Sequence, residues 1–513
     1  MTAANPPAAP PTSDTPDPRR WRILAVLGLA QLMVVLDATI VNIALPTAQR
    51  DLHFTTVDRQ WVVTAYALAF GSLLLLGGRV SAIVGRKVTF LGGLIGFAAA
   101  SAVGGAAISF TMLVIARACQ GAFGAFMAPS ALSLLTTTFG ATKDRGRAFG
   151  VFGAIAGAGG AIGLLLGGIL TEYLSWRWCL YVNLFFAAAA AIGGAILLRR
   201  HPRSGERPKL DILGAVFVSA GMFCIVYGFS NAAIHGWGKP STWGFLVAGP
   251  LLLLIFGWWE SRDPAPLLPL RIVLDRNRGA AYLSILIAGC GIFGIFLFVT
   301  YFMQLTLGFS PVITGLAFLP MVAMIMIASN LSNIVLMPRL GPKPVVTLGM
   351  LLACGGMVWL TRISPQSSYP ANLLPPLLVV GFSLGLIIAP SINTGTFGVP
   401  VADAGVASAS VNTGQQLGGS IGTSLFNTIA TSTTTAYLAA QLALAHGRPS
   451  HALTEQALVH GYVRAFWWAA AIFVGGAVLV GLLFRRGPLA QQESQTRAAA
   501  VAAGAAGPGP VVQ

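Results

Sequence analysis

Two residues of this 513-residue chain carry charge where charge is costly: Asp37, within LDATIVNIALP, and Arg117, within FTMLVIARACQG. Both stretches are long and apolar, and an ionised side chain at the middle of a bilayer costs at least about 2.5–3.5 kcal/mol on insertion scales. A carboxylate held there can bind a proton in one conformation and release it in another, and a guanidinium beside it can tip that exchange. Of the 15 acidic residues, Asp37 lies well inside an apolar run, whereas Glu172, Asp211, Glu260 and Asp403 fall at the ends of such runs. Gln31, Asn42 and Gln120 share the stretches of Asp37 and Arg117, and Asn412 and Gln415 sit in a later one. These amides could line a substrate cavity or bond a neighbouring helix.

Other chemistry is not suggested. The chain has no Walker loop to bind a nucleotide. Its six histidines fall between apolar runs, and His446, His451 and His460 lack the spacing of a metal site. Five widely spaced cysteines, with no CxxC pair, read as small buried hydrophobes. Neither cofactor nor metal is expected.

The elements that must position Asp37 and Arg117 follow from composition. Hydrophobic residues make up 55% of the chain and charged residues 9%; a soluble globular protein carries about 25% charged residues. A soluble multidomain enzyme and a disordered chain are thereby excluded, leaving an integral membrane protein in contact with the lipid bilayer. A helix needs roughly 20 apolar residues to cross the hydrocarbon. Such runs lie near 22–46, 60–78, 88–108, 111–135, 147–170, 178–198, 211–230, 243–259, 279–303, 312–335, 344–361, 372–395, 404–430 and 463–484. The expectation is an all-α membrane protein of 14 spans. Proline-rich residues 1–20 and the Ala/Gly/Pro segment 487–513 read as disordered cytoplasmic tails.

With the N-terminus inside, 23 of the 31 Lys and Arg fall in cytoplasmic segments and 7 outside, Arg117 being the remaining one. This asymmetry predicts that both termini are cytoplasmic. It also accounts for the +16 net charge without a nucleic-acid partner. The longest loop is expected outside, near 431–462. At 1.5 Å per residue, Asp37 sits roughly 22 Å up the first span and Arg117 roughly 9 Å down the fourth. In a core about 30 Å thick these are nearly one level, so the two could sense each other.

The chain also repeats itself. GAFMAPS at 124–130 returns as GLIIAPS at 385–391, and Gly85-Arg86-Lys87 as Gly341-Pro342-Lys343, at offsets of 261 and 256. The offset maps the first six spans onto the last six and leaves the middle two as an insertion. The expected organisation is an N-terminal half at 21–200, two inserted helices within 201–262 and a C-terminal half at 263–486. Gly153, Gly157, Gly160, Gly163 and Gly167 give the fifth span one face without side chains, suited to close helix packing.

These motifs resemble those of the major facilitator drug:proton antiporters with fourteen spans. LDATIVNIALP at 36–46, QWVVTAYALAFGSLLLLGGRV at 60–80 and RACQGAFGAFMAPSALSLL at 117–135 carry the likeness, with SWRW at 175–178, PLLPLRI at 266–272, GLAFLP at 315–320 and DAGVASASVNTGQQLGGSIG at 403–422. The resemblance implies the major facilitator fold in a bacterial cytoplasmic membrane and export of drugs or antibiotics in exchange for protons, the partners being a small-molecule substrate and protons. It implies proton-coupling roles for Asp37 and Arg117. Gly121 matches the glycine of the fourth-span motif, and Gly78, Gly85, Arg86 and Lys87 fall in the gating loop motif. Three motifs depart from the family pattern: Ala82 and Ile83 replace an acid and an arginine of that loop, Leu164 replaces the proline after Gly163, and Phe185 replaces the proline after Asn183-Leu184. A monomer is expected. Within transport the alternative is a facilitator or an exporter of an endogenous metabolite without strict proton coupling. A membrane-bound transferase or a receptor would need a catalytic cluster or a large soluble domain, and the sequence offers neither.

Overall fold

A computed structural model describes residues 18–54, 56–139, 144–198, 211–263, 266–400, 403–445 and 450–489. Most of the expected tails, the basic linker after the sixth span, His201 and His446 lie outside these residues, as do the side chains of Asn42 and His451.

Fourteen helices of 19 residues or more order the described chain. The first six are α1 (Arg20–Leu52), α2 (Thr56–Val84), α3 (Arg86–Gly105), α4 (Phe110–Phe139), α5 (Arg145–Tyr173) and α6 (Trp178–Leu197). Two follow, α7 (Ile212–His235) and α8 (Pro240–Glu260), then α9 (Arg276–Tyr301), α10 (Pro311–Leu331), α11 (Pro342–Leu360), α12 (Leu374–Thr396), α13 (Ala404–Ala445) and α14 (His451–Leu483). Wider π turns extend α9 at Phe302–Thr306 and α10 at Ser332–Leu336, and another precedes α12 at Tyr369–Leu373. By length and composition, 12 helices among the described residues can cross a membrane. α13 is not in that set, because glycine and small polar residues dilute its apolar content; of α5, the described part Ile162–Tyr173 is a shorter apolar stretch.

Helix is the natural state of these segments, since backbone N–H and C=O groups facing lipid must be satisfied within the segment. The sequence placed a loop at 431–462, but the structure corrects this: α13 runs on to Ala445 and α14 begins at His451. The stretch TTTAYLAAQLALA contains no Gly or Pro, so nothing interrupts the helix until Gly447 and Pro449.

The packing is pairwise and recurs. α1 lies against α5 and α6, α2 against α4, and α3 against α4 and α6. In the second set α9 lies against α13 and α14, α10 against α12, and α11 against α12 and α14. Between the sets, α5 packs on α10 and α12, while α13 packs on α2 and α4. α7 and α8 form a hairpin that touches the rest through α2 and α13. Local geometry repeats too: Gly85 and Gly341 both have positive φ (110° and 79°) at the starts of α3 and α11, a backbone region that favours glycine. Pro129 and Pro390, from the two APS motifs, both sit inside helices.

On the face where α1 starts, the two sets touch closely. A Cβ on Gly78 of α2 would fall 2.7 Å from the Gly405 carbonyl of α13. Arg145, at the start of α5, donates from Nε to Asn393 Oδ1 (2.9 Å) and from a terminal nitrogen to Thr396 Oγ1 (3.1 Å) at the end of α12. Asn393 in turn donates to Asn333 Oδ1 at 3.0 Å. A cation against the last carbonyls of α12 is favoured by the helix dipole.

Candidate functional site

Asp37 and Arg117 meet. Arg117 donates to Asp37 Oδ2 at 2.6 Å, and the two side chains are 1% and 0% exposed. Arg117 and Gln120 stand three residues apart on α4, hence on one face of the helix. Gly121 seats that face: a Cβ there would collide with the Tyr66 carbonyl of α2.

Around the pair is a network drawn from five helices. Asp37 Oδ1 accepts from Gln120 Nε2 (3.1 Å) and from Asn183 Nδ2 of α6 (2.7 Å). Arg117 also donates to Gln120 Oε1 (2.9 Å) and, from Nε, to the Val62 carbonyl of α2 (3.2 Å). Gln120 donates to Ser101 Oγ of α3 at 2.7 Å. The guanidinium lies 4.4 Å from the Tyr66 ring centre, a cation–π contact. Removing two charges from water costs several kcal/mol per ion, offset only where geometry is good and the remaining hydrogen-bonding capacity is used. Here both carboxylate oxygens are occupied. Chemically, the arrangement can hold one negative charge away from the surface, balanced by the Arg117 guanidinium.

Toward the opposite face from the α1 start, a small apolar cleft is lined by Val41, Ala44, Leu45, Ala48, Val62, Leu113, Trp176 and Leu180. Several of these stand one turn from the network: Val41 follows Asp37, Leu113 precedes Arg117 and Leu180 precedes Asn183. Trp176 of the SWRW segment forms one wall of the cleft. Trp176 Nε1 and an Arg177 nitrogen each donate to Asp51 Oδ2 at 3.0 Å, and Arg177 also donates to the Gly105 and Ala107 carbonyls at the end of α3. The Trp176 indole N–H, with the Arg177 charge beside it, holds the Asp51 carboxyl below its ordinary value of 3.8.

The expected cavity residues are distributed differently. Gln120 is fully buried inside the ion-pair network, because Arg117, Asp37 and Ser101 use its amide. Asn412 donates to the Ser408 carbonyl one turn back on its own helix. Gln415 is half-buried on α13. Gln31 is buried six residues before Asp37, with no hydrogen bond to the network among the described residues. Asn42 lies on α1, its side chain outside the described residues.

The glycines of α5 divide along its length. Gly153 abuts Ala389 of α12 and Gly160 abuts Phe296 of α9, whereas Gly163 and Gly167 abut Leu36, Thr39 and Ile40 of α1. The side of Gly157 is outside the described residues. Lys87 Nζ caps the end of α6 at the Ala195 and Leu198 carbonyls (2.7 and 2.5 Å), and Arg86 begins α3 half-buried.

Sequence reasoning missed Asn183, Ser101 and Tyr66. The depth argument that paired Asp37 with Arg117 puts Ser101 and Asn183 at the same level, but not on the same face. Ser101 lies fifteen residues along α3, about 22 Å at 1.5 Å per residue, and Asn183 five residues along α6, about 8 Å from the other side.

Known proteins place this geometry. Residues 27–423 match the Major Facilitator Superfamily. The chain is 46% identical to the puromycin resistance protein pur8 of Streptomyces alboniger over 470 residues, 91% of this chain and 92% of that one. It is 38% identical to the cephamycin export protein CmcT of Amycolatopsis lactamdurans, covering 79% and 84% of the two chains. In fold it is similar to the crystal structure of the human organic anion transporter MFSD10, with a TM-score of 0.61 at 16% identity over 90% of this chain and all of that one. The all-helical architecture, the length of the family match and the close relatives agree: this chain belongs to the Major Facilitator Superfamily.

Proposed function

We propose that the chain is a multi-pass exporter of drugs or antibiotic-like amphipathic molecules across the bacterial cytoplasmic membrane, driven by protons entering in exchange. The observation that carries the coupling is the buried Asp37–Arg117 pair, with every oxygen of the carboxylate engaged by side chains of α4 and α6. Neutralising Asp37 removes the charge that pairs with Arg117 and weakens the bonds from Gln120 and Asn183, so proton binding changes contacts among α1, α4 and α6 together. The substrate class is supported by the relatives, named for puromycin resistance and cephamycin export.

In this reading the protein works by alternating access. The recurring packing of α1–α6 and α9–α14 supports two six-helix halves, with α7–α8 as a peripheral insertion. α5 and α13 also cross the membrane, bringing the twelve spans to fourteen: each packs on its own half and on the other, so its small and polar residues meet protein as well as lipid. The excess of Lys and Arg in alternate loops puts the α1-start face in the cytoplasm. The Gly78–Gly405 and Arg145–Asn393 contacts then close the cytoplasmic side, standing in for the loop acid that Ala82 replaces.

The test is a substrate panel, beginning with puromycin, in proteoliposomes holding the purified chain under an imposed pH gradient. Uphill movement of at least one panel member that collapses with the gradient supports the reading. Equilibration without accumulation marks a facilitator instead.

A further inference from the structure

The base of the α7–α8 hairpin holds two carboxyl groups that the coupling site does not use. Asp211 caps α7 and is 7% exposed; Glu260 ends α8 and is 4% exposed. Asp211 Oδ1 accepts from the Gly214 amide (2.9 Å) and the Trp259 indole (3.1 Å). Asp211 Oδ2 is buried with no hydrogen-bond donor. Glu260 Oε1 borders the same space over Gly214. A Cβ on Gly214 would land on Asp211 Oδ2 and fall 2.8 Å from Glu260 Oε1, so glycine alone leaves room for the pair.

Among the described residues, the groups that donate to the pair are neutral. α7 offers the Gly214 amide, α8 the Trp259 indole, and the linker the amides of Leu267 and Leu268, which donate to Glu260 Oε1 and Oε2 at 3.1 and 3.0 Å. Among the described residues, the charged group acting on Glu260 is Asp211. Lys209, two positions before Asp211, lies outside them. Two buried carboxylates this close repel, and both cannot stay ionised; the economical state is one shared proton.

We propose that Asp211 and Glu260 form a proton-binding carboxyl pair, distinct from Asp37, that staples the α8–α9 linker to the α7–α8 hairpin. The helix N-terminus favours charge on Asp211. The proton therefore sits on Glu260 Oε1 and is donated to Asp211 Oδ2, while the same Glu260 oxygen still accepts from Leu267. The linker residues held this way belong to the PLLPLRI motif, whose function the transport reading leaves unexplained. Beyond them, Arg271 bonds Asp403 at 2.7 Å, two residues before the Gly405 that touches Gly78. Loss of the proton places two like charges at the root of this connection.

An infrared pH titration of the purified full-length protein tests the pair, and it needs no substrate. Wild type should display a neutral-carboxyl band at neutral pH that disappears reversibly in alkali. Glu260→Gln and Asp211→Asn should each remove one carboxyl's worth of that band, while Asp37→Asn leaves this component in place. Thermal unfolding should lose stability in alkali in the wild type and less so in Glu260→Gln. If a variant fails to fold, the wild-type titration decides alone. No neutral-carboxyl band in the wild type, as when Lys209 neutralises the pair, overturns the proposal. So does a band that both substitutions leave intact. Neither result bears on whether Asp37 couples export to protons.

Discussion

Asp37 accepts three hydrogen bonds from three side chains, and each donor has a separate consequence when removed. Asn183→Ala withdraws one donor from a buried carboxylate, which should cost about 1–3 kcal/mol of stability. Arg117→Ala strands the charge altogether, and breaking a buried pair costs about 3–5 kcal/mol. Arg117→Lys keeps the charge but cannot bond Asp37, Gln120 and the Val62 carbonyl at once, so it should fall between wild type and Arg117→Ala. Thermal unfolding of the purified variants checks this order, and an Arg117→Lys protein as stable as wild type would contradict the fork geometry. Asp37 and Arg117 were legible in the sequence because a charge in an apolar span is rare and costly. Asn183, Ser101 and Tyr66 were not, since neutral polar residues are common in spans. Their convergence depends on how α2, α3 and α6 are rotated about their axes, which no local pattern fixes. Gln120 illustrates the same gap: its type and depth were right for a cavity, yet its rotation aims it at Asp37.

Among the elements, two joints govern how the helices hold together. The SWRW turn ties the ends of α1 and α3 to the start of α6 through Asp51. With the Asp51 carboxyl held below 3.8, mainly by the Trp176 indole, the clasp contributes fully above the ordinary carboxylate range. It is lost as the pH falls through the lowered value. Asp51→Asn should remove that acid sensitivity. Because Asp51 is half-exposed, the effect on stability should stay within about 1 kcal/mol, read from unfolding of wild type and variant at neutral and acidic pH. The second joint is the Gly78–Gly405 contact between α2 and α13. Gly78→Val puts a branched side chain against a backbone carbonyl and Ala409, and overpacking of this kind costs about 1–3 kcal/mol. On the proposed cycle that cost falls on the state closed to the cytoplasm. A cysteine at Ser408, buried on α13, should then label faster from the cytoplasmic side in Gly78→Val than in the parent; equal rates would separate this contact from gating. Hydropathy found the helices well, since a lipid-facing backbone leaves no alternative to helix. It misjudged the end of α13, where Ala, Leu and Thr continue a helix that hydropathy alone reads as loop.

For the molecule as a whole, the repeat and the positive-charge asymmetry together yield a topology that labelling can test. Arg448→Cys should react with an impermeant reagent added outside, and Gly205→Cys should not; the reverse pattern would invert the proposed orientation. The repeat was legible because matching APS and Gly-x-Lys motifs occupy equivalent places in the two sets of helices. The exchange of α5 and α13 across the interface was not, because it rests on packing between residues more than 150 positions apart, such as Gly153 and Ala389. Everything proposed about energy coupling converges on one carboxylate. The most direct measurement is therefore puromycin transport in proteoliposomes under an imposed pH gradient, comparing wild type with Asp37→Asn, which mimics a carboxyl that never gives up its proton. The account predicts uphill, gradient-dependent transport by wild type, and its loss in Asp37→Asn with downhill substrate exchange retained. Uphill transport by Asp37→Asn at the wild-type rate, with unchanged pH dependence, would contradict it.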